Sequence, residues 1–264
     1  MPPDPAAPAP PGPEDAPGRR QVTILRNAAS PSHDSRKGTA VDMLVLHYTD
    51  TADAATAIGL LTDAANSVSA HYLVDVDGSI RSLVPEDRRA WHAGVASWCG
   101  ITDINACSIG IEIQNRGHSS VGASGPEPYP LPQIRSVIDL IHDIRRRHAI
   151  PDRRVLGHSD VAPLRKQDPG AHFPWARLAG AGIGIWPSGN GGLDQQPTAS
   201  VTDVQQALAA IGYGIAVDGV SGPQMQSVVA AFQRHFLPDR VTGTADADTV
   251  ARIGVVGALM CAVP

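Results

Sequence analysis

The sequence predicts a mixed α/β (α+β) domain, a central sheet flanked by helices, followed by a small three-helix unit. Three observations carry this. Strand-like apolar runs alternate with helical patterns between residues 41 and 186. Turn formers without apolar periodicity cover residues 187–200. The remainder holds three short helical patterns separated by glycine turns. The expected segments are a tail at 1–20, a first domain at 21–186, a linker at 187–200 and a second domain at 201–264.

Residues 1–20 are dominated by Pro, Ala, Gly and acidic groups and cannot bury enough apolar surface to offset the entropy of ordering. They read as a disordered tail or an extended, semi-rigid spacer. MLVLHY at 43–48 is a short apolar run without helical spacing, the mark of a buried strand. AATAIGLLTDAA at 54–65 reads as a helix. AHYLVDVDGSIRSLVP at 70–85 places two strand-like runs around Asp77-Gly78, a pair suited to a tight hairpin turn. SIGIEIQN at 108–115 alternates as a further strand. Ile134, Val137, Ile138 and Ile141 recur at amphipathic-helix spacing over 133–148, with Pro132 at the start and Pro151 blocking continuation.

In the second domain, VTDVQQALAAIG at 201–212, VDGVSGPQMQSVVAAF at 217–232 and VTGTADADTVARI at 241–253 predict three helices. Their core is Val204, Leu208, Ile211, Val228, Val229, Phe232 and Val250. The last two segments echo each other, each setting a glycine turn before a helix.

Charge and composition exclude several classes. The net charge of -5 gives no general attraction to nucleic acid, and residues 201–264 carry only Arg234, Arg240 and Arg252 against five Asp, so a three-helix DNA-binding module is not expected. No apolar run reaches the ~18 residues of a membrane helix. The first 20 residues lack the charged start and apolar core of a signal peptide, and no lipid-attachment cysteine is visible, so envelope and cytoplasm both stay open. Cys99, Cys107 and Cys261 are too few for a structural zinc cluster; Cys99 and Cys107 read as ordinary thiols, with a short disulfide as the alternative.

Ten histidines occur, so most are bystanders. His47 ends a buried strand, and His158 opens a polar loop that carries Asp168 ten residues on. Two imidazoles and a carboxylate supply three zinc ligands and leave a position for water, but spacing alone equally allows ordinary surface residues. Glu112 alternates with Ile109, Ile111 and Ile113, so it either faces solvent or enters a cleft as a carboxylate with a task. Lys166 is either a surface lysine or a cation beside a developing oxyanion. His71 and His92 stand as core hydrogen-bonding groups or as a further ligand, and His148, on the apolar helix face, reads as structural. His33, His118, His142, His172 and His235 carry no assignment.

Taken in order, VLHYTDT at 45–51, SAHYLVDVDGSI at 69–80, AWHAGVASW at 90–98, SIGIEIQN at 108–115 and GHSDVAPLRKQDPGAHFPW at 157–175 resemble the zinc-dependent N-acetylmuramoyl-L-alanine amidases of the AmpD and AmiD group, relatives of the peptidoglycan recognition proteins. VQQALAAIGY, VDGVSGPQ and VVAAFQRHF resemble the peptidoglycan-binding module often appended to such hydrolases, an order most similar to the AmiD branch. The resemblance implies a zinc ion on His47, His158 and Asp168, Glu112 as acid/base and Lys166 as oxyanion stabiliser. It also implies hydrolysis of the amide between N-acetylmuramic acid and L-alanine, with peptidoglycan or muropeptides as partners and a monomeric chain. The alternative is a recognition protein that holds peptidoglycan without cutting it, as relatives lacking the metal ligands do. Cys99 and Ile101 stand where the family favours basic residues, and His172 where Leu is more familiar. The first departure bears on recognition of the stem peptide's acidic groups.

Overall fold

The computed structural model describes residues 22–118, 127–187 and 199–262. The tail at 1–20 and the linker at 187–200, apart from its two ends, lie outside the described residues.

Six strands form one mixed sheet: β1 (Ile24–Leu25), β3 (Met43–Tyr48), β4 (Tyr72–Val74), β5 (Ile80–Ser82), β7 (Ser108–Ile113) and β8 (Val155–Gly157), in the spatial order β1-β5-β4-β7-β3-β8. A separate antiparallel pair joins β2 (His33–Ser35) to β6 (Arg88–Ala90). β3 lies parallel to both β7 and β8, and only β4 and β5 pair antiparallel within the large sheet. Their hairpin turns at Gly78, whose φ of +88° is open to glycine at no steric cost.

Strand alternation sorts the side chains of the central pair to two faces. Leu44 and Leu46 of β3, with Ile109, Ile111 and Ile113 of β7, meet helix α3 (Leu131–Arg145), whose Ile134, Val137, Leu140, Ile141 and Ile144 are all buried in the same cluster. Met43, Val45 and His47, with Ser108, Gly110 and Glu112, occupy the other face in matched register. Burying the α3 stripe stabilises the sheet by roughly 1.5–3 kcal/mol per large side chain.

Several element ends differ from expectation for local reasons. Helix α1 (Ala54–Thr62), capped by Asp53 Oδ1 on Thr56 N at 2.8 Å, stops early because Asp63 turns to extended backbone and caps a separate 3-10 turn at 64–66. α3 ends at Arg145, where Arg146 and Arg147 N–H groups reach back to Asp143 and Ile144 and tighten the chain. His148 therefore lies beyond the helix, with Nε2 2.8 Å from Glu86 Oε2. β7 ends at Ile113; just beyond it Gln114 N still donates to Val74 O at 2.8 Å, while its side-chain oxygen accepts from the hydroxyls of Thr49 and Thr51.

Short helices α2 (Ile104–Cys107) and α5 (Trp175–Gly180) also belong to the sheet domain, and the C-terminal residues form α6 (Val201–Ile211), α7 (Pro223–Phe236) and α8 (Ala247–Ala262). The echo in their sequence has a physical counterpart. Buried Gln205 accepts from Asp218 N and Gly219 N and donates to Val220 O; buried Gln233 accepts from Thr242 N and Gly243 N and donates to Thr244 O. Each glycine turn is clamped by a glutamine from the preceding helix.

The three helices do not enclose a private core. Val204, Leu208, Ile211, Val228, Val229 and Phe232 share one buried cluster with Met43, Val45, Ala96, Trp98 and Leu156 of the sheet domain, and Val250 is only partly buried against it. Gly212 ends α6 with φ +133°, accepts from Cys99 N at 2.8 Å, and lies so close to Trp98 that a Cβ would sit 2.6 Å from the indole.

Candidate active site

The site forms where the parallel strands end, the place at which open α/β sheets present ligand groups. β3 carries His47, β7 carries Glu112 as its register partner, and β8 runs directly into the short helix α4 (His158–Val161), which starts with His158. The loop after α4 returns Asp168, whose carbonyl accepts from Ser159 N at 2.9 Å. His47, His158 and Asp168 are all buried.

Their ligand atoms converge. His47 Nδ1, His158 Nδ1 and Asp168 Oδ2 form a triangle with all three sides 3.0 Å. Ligands of one tetrahedral zinc at about 2.0–2.1 Å lie about 3.3 Å from each other, so this donor set fits such an ion with little adjustment. Protonation favours the same conclusion. Burial, with His158 alongside, lowers the His47 pKa to about 4 and keeps the ring neutral. Burial alone would raise the Asp168 carboxyl, but His158 and His47 more than reverse it and hold the group well below the usual range. His158 Nε2 lies 3.0 Å from the carbonyl of Ala93, which can only accept, so Nε2 is the donor there and Nδ1 is the ring nitrogen turned to the triangle.

Glu112 enters the cleft rather than solvent. Its Oε2 is buried with no hydrogen-bond partner among the described residues. Burial, reinforced by Asp168 and opposed by Lys166, pushes its pKa well above the ordinary carboxylate range. Lys166 lines the same cleft, of about 290 Å³, with Tyr48, His92 and His118. All five residues singled out from the sequence thus meet in one place.

His71 is no ligand: Nδ1 accepts from Gly110 N at 3.0 Å, and Nε2 faces Arg88 O behind the cleft. His92 stands one shell out, with Nδ1 3.1 Å from His47 Nε2. Sequence reasoning missed the support of α4. Buried Asp160 accepts from Gly157 N at 2.8 Å and from Tyr213 Oη at 2.7 Å, while His235 Nδ1 lies 2.8 Å from its Oδ2. His235 itself stacks on Trp175 with centroids 3.8 Å apart. The QRHF motif on an amphipathic helix was the only hint of this contact. Cys99 and Ile101 pack toward the C-terminal helices, Cys99 against Gly212 and Ile101 against the shared cluster. All three cysteines are free thiols, Cys107 buried and the others exposed.

Two imidazoles and a carboxylate converging in a cleft that also holds a second carboxylate, whose Oε2 has no partner among the described residues, define the class of a metal-assisted hydrolase. The N-acetylmuramoyl-L-alanine amidase family model matches residues 37–171, and a putative peptidoglycan binding domain matches 197–253. The chain is 39% identical over 225 residues to N-acetylmuramoyl-L-alanine amidase AmiD of Escherichia coli, covering 80% of each. It superposes with a TM-score of 0.74 and 36% identity on the E. coli AmiD complex with anhydro-N-acetylmuramic acid-L-Ala-D-gamma-Glu-L-Lys, covering 88% of this chain and 91% of that one. For AmpDh3 of Pseudomonas aeruginosa the TM-score is 0.75 at 32% identity, covering 90% and 99%. The chain belongs to the N-acetylmuramoyl-L-alanine amidase family, enzymes of cell-wall turnover that cut between N-acetylmuramic acid and the L-alanine of the stem peptide.

Proposed function

We propose that this amidase acts with one zinc ion held by His47, His158 and Asp168, that Glu112 is its acid/base, and that Lys166 stabilises the oxyanion. The observation that carries the reading is the 3.0 Å triangle of donor atoms in the cleft that also holds Glu112. A zinc ion held by these three residues would supply an acidified water and a Lewis acid for the scissile carbonyl. Glu112, its raised pKa reflecting an affinity for protons, takes the proton of the attacking water and passes it to the nitrogen of the departing L-alanine. Lys166, which lines the same cleft, would stabilise with its ammonium the oxygen that becomes negative in the tetrahedral species. The buried walls around His47 and Asp168 exclude bulk water and strengthen these interactions.

The substrates are muropeptides or the intact wall, and α6–α8 supply the contact that holds the polymer, in keeping with the family match over 197–253. Muropeptides with reducing-end and anhydro ends, incubated with the zinc-loaded chain, are expected to release free stem peptide detectable by mass spectrometry. His47→Ala is expected to lose the roughly one zinc per chain and the cleavage together. Intact muropeptide after incubation with a chain shown to hold zinc overturns the mechanism, and failure of the full chain to sediment with insoluble sacculi overturns the polymer-holding role.

A further inference from the structure

The two histidines of the donor triangle have one segment behind them. The carbonyl of Ala93 accepts from His158 Nε2, and the ring of His92, the preceding residue, meets His47 Nε2. The segment is itself pinned, because the side-chain oxygen of Asn105 accepts from both His92 N at 3.1 Å and Ala93 N at 2.8 Å. The His92 ring lies over Gly110 of β7, where a Cβ would come within 2.4 Å of His92 Cγ. Only a glycine leaves the strand surface open for it.

The polarity of the hydrogen bonds running through this ring can be read from its far end. Ser108 Oγ lies 2.6 Å from the carbonyl of Ile104, which can only accept, so the single hydroxyl proton points there. Toward His92 Nε2, 3.1 Å away, Ser108 Oγ can then only accept, and Nε2 must carry a proton. With Nε2 turned as donor to Ser108 Oγ, the ring's other nitrogen, Nδ1, is the one placed to accept, 3.1 Å from His47 Nε2. His47 is thereby left with its Nδ1 lone pair facing His158 Nδ1 and Asp168 Oδ2. The opposite tautomer would aim a proton into the triangle.

We infer that Ser108 and His92 are positioning residues whose hydrogen-bond chain, begun at the Ile104 carbonyl, locks His47 in its metal-binding tautomer. The inference rests on the proposed metal role of His47, but concerns a chain of bonds present in the metal-free protein. Outer partners of metal-binding histidines commonly hold a carboxylate or a backbone carbonyl. Here His158 has the carbonyl, whereas His47 has a second imidazole whose own polarity is set by a serine.

Long-range proton–nitrogen correlation spectra of the metal-free protein report histidine tautomers directly. Both His92 and His47 are expected as the Nε2–H form, and a His47 with its proton on Nδ1 overturns the inference. Zinc affinity, measured by competition with a chromophoric chelator, supplies the second readout. Ser108→Ala and His92→Leu are expected to weaken zinc about 10–100-fold, the usual range for an outer-shell partner. His92→Asn, whose side-chain oxygen can accept at the Nδ1 position, is expected to recover most of the His92→Leu loss. Affinities within twofold of wild type in Ser108→Ala and His92→Leu overturn the relay. So does equal weakening by His92→Asn and His92→Leu, which marks a packing role. A wild-type chain that binds no zinc refutes the metal reading instead, and the tautomer spectra still decide the relay.

Discussion

Glu112 has its function and its cost in one side chain. Its Oε2 is removed from water without a hydrogen-bond partner among the described residues, and burial first, then Asp168, raises its pKa well above the ordinary range. A folded-state pKa above the unfolded value means the native state binds the proton more tightly. The corresponding stability is fully present below the unfolded pKa and is lost as pH rises through the folded one. Glu112→Gln removes the penalty of the buried charge. In the metal-free protein the variant is therefore expected to melt above wild type at pH 8, with the difference shrinking as pH falls toward about 4, the unfolded carboxylate value. Muropeptide cleavage by the zinc-loaded variant is expected to fall by about 10²–10⁴-fold, the typical worth of general acid–base catalysis, with zinc content unchanged. A variant that melts below wild type at pH 8, or that cleaves at wild-type rate, contradicts this account.

At the scale of elements, Glu86 ties the loop after the hairpin to the end of α3. Its two carboxylate oxygens accept from Tyr72 Oη at 2.7 Å and from Arg147 at 2.7 and 3.0 Å, and they meet His148 at 2.8 Å. Burial would raise its pKa, but Arg147, Tyr72 and His148 more than compensate and hold it at about 2. A depressed folded pKa contributes stability that is present above the unfolded value and lost as pH falls through about 2. Glu86→Gln is expected to cost on the order of 1–2 kcal/mol at pH 7 and to flatten the acid limb of the stability curve between about pH 4.5 and 2. Chemical denaturation at a series of pH values measures both. An unchanged acid limb would mean that the cluster is solvated rather than coupled to folding. This link was not legible in the sequence, because helical spacing through Ile134 and Ile141 marks the buried face of α3 but gives no sign that Arg147 and His148 leave the helix to meet a glutamate some sixty residues earlier.

For the whole molecule, the sequence located the chemistry better than the assembly. Strand 43–48 was readable to the residue because six consecutive apolar or ring-bearing side chains suit a strand covered on both faces. Motif order brought His47, Glu112, His158, Lys166 and Asp168 into one cleft. Apolar periodicity in α6 and α7 showed that these helices bury a stripe, yet it cannot say against what, and the expected private core proved to be continuous with Val45, Trp98 and Leu156. Asp160, two residues from His158, is satisfied by Tyr213 and His235 from the C-terminal helices. Withdrawing those helices would leave a buried carboxylate short of partners next to the donor triangle. The full chain is accordingly expected to unfold in a single calorimetric transition, whose enthalpy matches the van't Hoff value. Two resolved peaks would show that the helices melt independently of the sheet domain.

Gly110 belongs to this picture in another way. It supplies no donor atom to the triangle, and it sits in mid-strand with ordinary backbone angles, where a small apolar replacement looks harmless. Its missing side chain is nevertheless the space that the His92 ring fills. Any side chain at position 110 is expected to displace the His92 ring, and with it the partner of His47. A gap in the strand surface is thus a structural requirement in its own right.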